Sequence, residues 1–203
     1  MQVFTFAPKD CFGSNMYILT SNHDAAIIDP SVEFDDLRCV FNIEEFFVRY
    51  IILTHAHFDH MLAIESWVNN TSAQVVVGAK EAQSLNDPYL NCYKIFVGED
   101  KGYSGDYISV SEGDKLVLGN VDLNVIETPG HSIGSVSIAV SDKIFVGDVI
   151  FADGAVGRTD LPGGNYRLLI DSIKKISLFP KDTLIYSGHG RTHKVEELYK
   201  QKR

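Results

Sequence analysis

Four times along this chain a short apolar run stops and a histidine or aspartate follows. The run 50–53 leads into Thr54-His55-Ala56-His57-Phe58-Asp59-His60. The run 121–127 leads into Thr128-Pro129-Gly130-His131-Ser132, the run 144–146 into Gly147-Asp148, and the run 184–186 into Gly188-His189-Gly190. Each run is rich in Val, Ile, Leu, Phe or Tyr and reads as a β-strand. A fold built from these runs must carry imidazoles and carboxylates at its strand ends. Glycine flanks the last three, where it lets the backbone turn sharply and approach a ligand closely. Three histidines and one aspartate within six residues have no packing rationale. Neutral imidazole and carboxylate are the usual ligands of zinc, iron or manganese. In an extended segment His55 and His57 share one side. Asp59 and His60 stand where a helix can begin, so the spacing points to two metals rather than one. Taken singly, His131 reads as a turn cap, Asp148 as a turn aspartate and His189 as a surface histidine. Their shared position after strands favours a common site.

Strands are expected at 2–6, 16–20, 25–29, 49–53, 74–77, 115–118, 121–127, 135–140, 143–147 and 183–186. Helical spacing fits 33–46, 61–70, 80–86, 166–178 and 193–200. In 166–178, Leu168, Leu169, Ser172, Ile173 and Ile176 recur at helical intervals, and Pro180 closes the helix. This order suggests two similar halves, with two packed sheets and helices on both outer faces. A length of 203 residues with 45% hydrophobic side chains suits one domain, 1–203. The segment 87–111, rich in Gly, Asp and Tyr, reads as a long surface loop of the kind that often carries function.

The net charge of −9 argues against nucleic acid or an anionic membrane as the main partner. No apolar run is long enough to span a bilayer, and the first ten residues do not read as a signal peptide. Cys11, Cys39 and Cys92 are widely spaced and odd in number. They fit a reducing, cytoplasmic location and small core residues rather than disulfides. His23 and His193 fall outside the ligand pattern and read as surface residues. Asn15 reads as a turn stabiliser.

The pattern HxHxDH, then His, then Asp, then His, resembles the metallo-β-lactamase fold hydrolases over 15–190. The resemblance implies an α+β fold, the four-layer αββα sandwich, with the site at one edge of the two sheets. It implies one metal on His55, His57 and His131, a second on Asp59, His60 and His189, and Asp148 bridging both. It therefore implies two divalent ions, zinc first, with iron or manganese also accepted. Aspartate at 148 matches the glyoxalase II group, whereas cysteine there would point to the β-lactamases proper. The stretch 157–164 is similar to one in small glyoxalase II-like proteins. In larger glyoxalase II enzymes the matching segment carries a lysine and an aromatic residue that hold glutathione, and the resemblance implies that Arg158 and Asp160 take those substrate-binding places here. Arg158 reads equally as a grip for a substrate carboxylate and as half of an internal ion pair with Asp160 or Asp153. Glyoxalase II enzymes complete their glutathione site with a helical region after the last histidine, and thirteen residues follow Gly190 here. The loop 87–111, with Tyr89, Tyr93, Tyr103 and Tyr107, reads equally as a replacement wall and as a loop whose tyrosines pack on one another.

The expected function is hydrolysis of a small-molecule thioester or ester similar to S-D-lactoylglutathione. A metal-activated hydroxide attacks the carbonyl, oriented by Asp59 as the catalytic residue. The alternative is a mononuclear-iron persulfide dioxygenase, a family that shares the ligand motif and the Gly157-Arg158-Thr159-Asp160 stretch. Its iron uses only the equivalents of His55, His131 and Asp148.

Overall fold

The strands Met16–Ser21, Asp24–Ile28, Gln74–Gly78, Val136–Val140, Lys143–Gly147 and Leu184–Ser187 are buried on both faces, and their alternation shows which layer each face meets. The computed structural model describes residues 1–8 and 13–202. Strands β1 (Gln2–Phe6), β2 (Met16–Ser21), β3 (Asp24–Ile28), β4 (Phe47–Ile52), β5 (Gln74–Gly78) and β6 (Tyr107–Val110) form one six-stranded sheet in sequential order. Its first three strands pair antiparallel and the rest parallel. Strands β7 (Lys115–Leu118), β8 (Val121–Glu127), β9 (Val136–Val140), β10 (Lys143–Gly147), β11 (Leu184–Ser187) and β12 (His193–Lys194) form the second, also in sequential order. Only β10 and β11 are parallel there.

The period-two alternation of side chains separates three apolar layers. Tyr17, Leu19, Ala26, Ile28, Ile52 and Val76 face Leu118, Leu123, Val125, Ile138 and Phe145 between the sheets. The opposite residues of the same strands, Met16, Ile18, Ala25, Ile27 and Ile51, meet helices α1 (Phe34–Arg38) and α2 (Ile64–Asn70) through Leu37 and Trp67. The short helix α3 (Tyr93–Phe96) precedes β6. On the far side Ile144, Val146 and Ile185 meet Leu169 and Ile176 of α4 (Tyr166–Ser177). The result is the expected αββα sandwich. Helix α4 starts at Asn165, whose side chain accepts from the N–H groups of Arg167 and Leu168, a standard N-cap.

Several expected elements differ. The helix expected at 33–46 stops at Arg38 and resumes as one 3-10 turn at Ile43–Glu45. The chain bends there, and Phe41 stacks on Phe46 (6.0 Å) and packs tilted against Phe4 (4.7 Å). The helix expected at 61–70 begins only at Ile64, after a 3-10 turn at Phe58–His60. The one expected at 80–86 is reduced to Ala82–Ser84. At 193–200, His193 pairs with Ile185 in β12 and a 3-10 helix follows over Val195–Lys202. His193 is therefore buried, not a surface residue, whereas His23 is exposed. The segment 87–111 is not a plain loop. It contains α3 and also β6, which completes the first sheet. Cys39 is exposed rather than a core residue, Cys92 is buried, and both are free thiols. Cys11 lies outside the described residues. No described helix is long and apolar enough to cross a membrane.

Candidate metal centre

The donors gather because of strand direction. Strands β8, β10 and β11 run the same way, so their carboxyl ends share one edge of the second sheet. His131, Asp148 and His189 follow those three ends, while His55, His57, Asp59 and His60 follow β4 of the first sheet. All seven residues meet. Ligand atoms lie within 4.8 Å of one another in each of three sets: His55, His57 and His131; His55, His60 and Asp148; Asp59, His60 and His189. His55 Nε2 and His57 Nδ1 stand 3.1 Å apart. Asp148 lies between the sets. Its Oδ1 is 3.4 Å from His60 Nε2, and its Oδ2 is 3.7 Å from His131 Nε2 and 3.6 Å from His189 Nε2. Asp59 Oδ2 lies 3.2 Å from His189 Nε2 and 3.7 Å from His60 Nε2.

The protonation states differ across the cluster. Burial, reinforced by the neighbouring histidines, holds His55 well below the usual imidazole range and His57 at about 3. These two neutral rings offer lone pairs, whereas His60, against its burial, is raised well above the usual range by Asp29, Asp59 and Asp148, and His189 is raised by its hydrogen bond to Asp59, so each carries a proton that a cation would displace. Burial alone would raise the Asp148 carboxyl, but His60, then His131 and His189, hold it below the usual range. The same contest, with His60 and His189, lowers Asp59.

The donor set fits a cation. The buried atoms His57 Nε2, His60 Nε2, His131 Nε2 and Asp148 Oδ1 have no hydrogen-bond partner. Each such orphan costs roughly 1–3 kcal/mol unless something satisfies it. A cation satisfies imidazole nitrogen and carboxylate oxygen together. The other ring nitrogens of His60 and His131 are already oriented from outside, as ligating histidines require. His60 Nδ1 donates to Asp29 (2.8 Å), and His131 Nδ1 donates to the Arg158 carbonyl (2.8 Å).

Sequence reasoning missed these supports. Asp29 also accepts from the N–H and hydroxyl of Thr54 at 2.8 and 2.7 Å. It follows the apolar strand β3, the same signature as the ligands, and that signal could have found it. Glu81, fully buried, accepts from Ala56 N–H, Ser132 hydroxyl and Gly134 N–H. Nothing in its local sequence marks it. Asn15 does more than stabilise a turn: its amide donates to the carbonyls of Ser187 and Gly190 and holds the His189 loop. The glycines permit close packing. A Cβ on Gly188 would lie 2.1 Å from Asp148 Oδ1, and one on Gly157 would lie 1.9 Å from the Asp148 carbonyl.

A cavity of about 320 Å³ opens over His57, Asp59, His131, Asp148 and His189. Its walls are Phe58, Cys92, Phe96, Phe151, Leu161 and Arg158. The tyrosine wall does not form. Tyr103 is buried in the first-sheet core and its hydroxyl donates to the Asp106 carbonyl, Tyr93 packs on Phe58, and Tyr89 and Tyr107 are exposed elsewhere. Cys92 and Phe96 of the same segment supply the wall instead. Arg158 reaches the cavity rim with its guanidinium paired to Asp160 through Nε–Oδ1 (2.7 Å) and Nη2–Oδ2 (2.6 Å). Asp160 does not line the cavity. A larger cavity of about 580 Å³ lies between α2 and β6, lined by Glu65, Asp106 and no histidine. It lacks the convergent donors, so volume alone does not mark the site.

Two sheets flanked by helices, with a histidine–aspartate cluster at one edge, define a metal-centre protein of the αββα class. The family model described as the metallo-beta-lactamase superfamily matches residues 10–189, and the chain belongs to that superfamily. It is 37% identical over 181 residues to the protein named probable metallo-hydrolase YqgX of Bacillus subtilis, covering 87% of this chain and 85% of that one. The solved structure of BLEG-1 B3 metallo-beta-lactamase superposes with a TM-score of 0.89 at 33% identity, over 98% of this chain and 97% of that one. TTHA1623, solved in a di-iron-bound form, superposes with a TM-score of 0.83 at 26% identity, over 100% and 98%.

Proposed function

We propose that the centre binds two divalent ions, zinc first, and that the protein hydrolyses small-molecule thioesters or esters similar to S-D-lactoylglutathione. His55, His57 and His131 would hold one ion, Asp59, His60 and His189 the other, with Asp148 shared. The same donors accept iron or manganese, and the di-iron form of TTHA1623 supports a pair of ions. Ions held there supply Lewis acidity, polarising an acyl carbonyl and lowering the pKa of water. The observation that carries the reading is the double donor set around Asp148, opening into one cavity.

The chain's own residues do the rest. Asp59 faces the cavity with a carboxylate kept ionised, so its oxygen can orient the attacking water and take its proton. Phe58, Phe96 and Leu161 exclude bulk water from the bond being broken. Arg158, half exposed, can exchange Asp160 for a substrate carboxylate in the same two-point geometry. Asp160 thus serves substrate binding by presenting the guanidinium.

The test is turnover of S-D-lactoylglutathione by zinc-loaded protein, beside Asp59→Ala loaded to the same metal content. Wild type should turn over, and the variant should lose about 10²–10⁴-fold. An inactive wild type, or a fully active variant, overturns the reading. Hydrolysis of nitrocefin instead would align the chain with BLEG-1. Oxygen uptake with glutathione persulfide by iron-loaded protein would establish the dioxygenase alternative. Both readings share the donors Asp59, His60 and His189, so the number of ions in the active protein, two for the hydrolase and one for the dioxygenase, separates them.

A further inference from the structure

Glu81 stands three residues beyond β5 with no solvent exposure. Its Oε1 accepts the Ala56 N–H at 3.1 Å. Its Oε2 accepts the Ser132 hydroxyl at 2.8 Å and the Gly134 N–H at 2.7 Å. Ala56 lies between His55 and His57, and Ser132 follows His131. The two loops come from different sheets, one after β4 and the other between β8 and β9. Close backbone packing reinforces the link, since a Cβ on Gly134 would lie 2.2 Å from the Glu81 nitrogen. The carboxylate touches none of the candidate ligands. It ties together the backbone segments that carry three of them.

We infer that Glu81 is a positioning residue. It sets the separation of His55, His57 and His131, and so the affinity of that donor set, across the junction of the two sheets. The inference rests on the metal-centre reading above, but not on the nature of the substrate. Three donors converge on two carboxylate oxygens. An amide has one acceptor oxygen and a donor NH₂, so Glu81→Gln must set donor against donor for at least one loop. The other donor set has its own brace, because Asp29 holds His60 directly, and it reaches the first set only indirectly, through the Thr54 hydroxyl 3.2 Å from His55 Nδ1. Loss of Glu81 should therefore act on one set and not on the other.

The experiment is Co²⁺ titration of metal-free protein, followed by visible absorption, for wild type, Glu81→Gln, Ser132→Ala and Asp29→Asn. His189→Ala assigns the steps. Wild type should bind Co²⁺ in two resolvable steps. Glu81→Gln should weaken the His55/His57/His131 step about 10–100-fold and change its absorption, leaving the other step as it was. Asp29→Asn should weaken the Asp59/His60/His189 step more than the other. Ser132→Ala removes one donor and leaves the carboxylate in place. It should weaken the same step as Glu81→Gln by less, and it keeps the test alive if Glu81→Gln fails to fold. Equal weakening of both steps would mean a general structural role and overturn the inference, as would no change in either step. A wild type that binds no Co²⁺ would remove the metal-centre reading and this inference with it. Normal wild-type binding with indifferent variants would remove the inference alone.

Discussion

The two halves of the donor cluster are built differently. His55, His57 and His131 are each at most 3% exposed, and two loops from separate sheets are joined behind them by Glu81. In the other half His60 is fully buried on Asp29, but the His189 side chain is 41% exposed and the Asp59 side chain 17%. One half is a closed pocket of imidazole rings. The other exposes more of its donors to the cavity, which His57 and His131 also line, and carries the carboxylate proposed to take a proton. The difference teaches a division of labour: burial fixes ligand geometry, and exposure admits substrate and water.

The largest effect should separate the halves directly. His131→Ala should weaken metal binding beyond the roughly 10–100-fold of a supporting residue, and His189→Ala should cost less because solvent can replace an exposed ligand. Calorimetric titration checks this, and an equal loss in both variants breaks the comparison. Metal removal comes next. At free metal a hundred times its Kd, chelation should lower the unfolding free energy by about 2.7 kcal/mol for each ion bound, read by denaturant titration with and without chelator. Asp29→Asn should follow, destabilising even the metal-free protein by about 1–3 kcal/mol, because one buried donor on Thr54 or His60 loses its acceptor. Unchanged stability would show that the open half needs no brace.

The smallest effect lies at the rim. The Arg158 guanidinium, by direct hydrogen bonding, holds the Asp160 carboxyl at about 2 instead of 3.8. A carboxyl depressed in the folded state contributes stability above its ordinary pKa and loses it as pH falls through the folded value. The ion pair should therefore survive at pH 4 and dissolve near pH 2. Carboxyl NMR should show this titration, and Arg158→Ala should return Asp160 toward its usual range. An Asp160 that titrates normally in wild type would mean that Arg158 is free to meet substrate without exchange.

All seven candidate ligands are legible in the sequence, because they follow apolar runs and offer metal-ligating side chains. Each expected strand falls on an observed one with only end shifts, as at 16–20 against Met16–Ser21 and 183–186 against Leu184–Ser187. Strands β6 and β12 escape sequence reasoning. The first is four residues long with one buried position, and the second is two residues long. Such short edge strands exist through pairing with a neighbour. Short helices go wrong for a related reason: 80–86 has helical spacing, yet the chain there is a single turn from which Glu81 reaches two other loops.

The local pattern by itself determined the residue chemistry, the strand ends that carry it and the sandwich class, because periodicity and donor type are properties of neighbouring residues. Tertiary structure alone decided that Glu81 ties the loops of one half while Asp29 anchors His60 of the other, that Cys92 and Phe96 rather than tyrosines wall the cavity, that His193 is buried, and that Arg158 is paired with Asp160. Hydrogen bonds between residues 25 to 53 positions apart leave no periodic trace. They form only once two sheets stack and bring unrelated loops to the same edge.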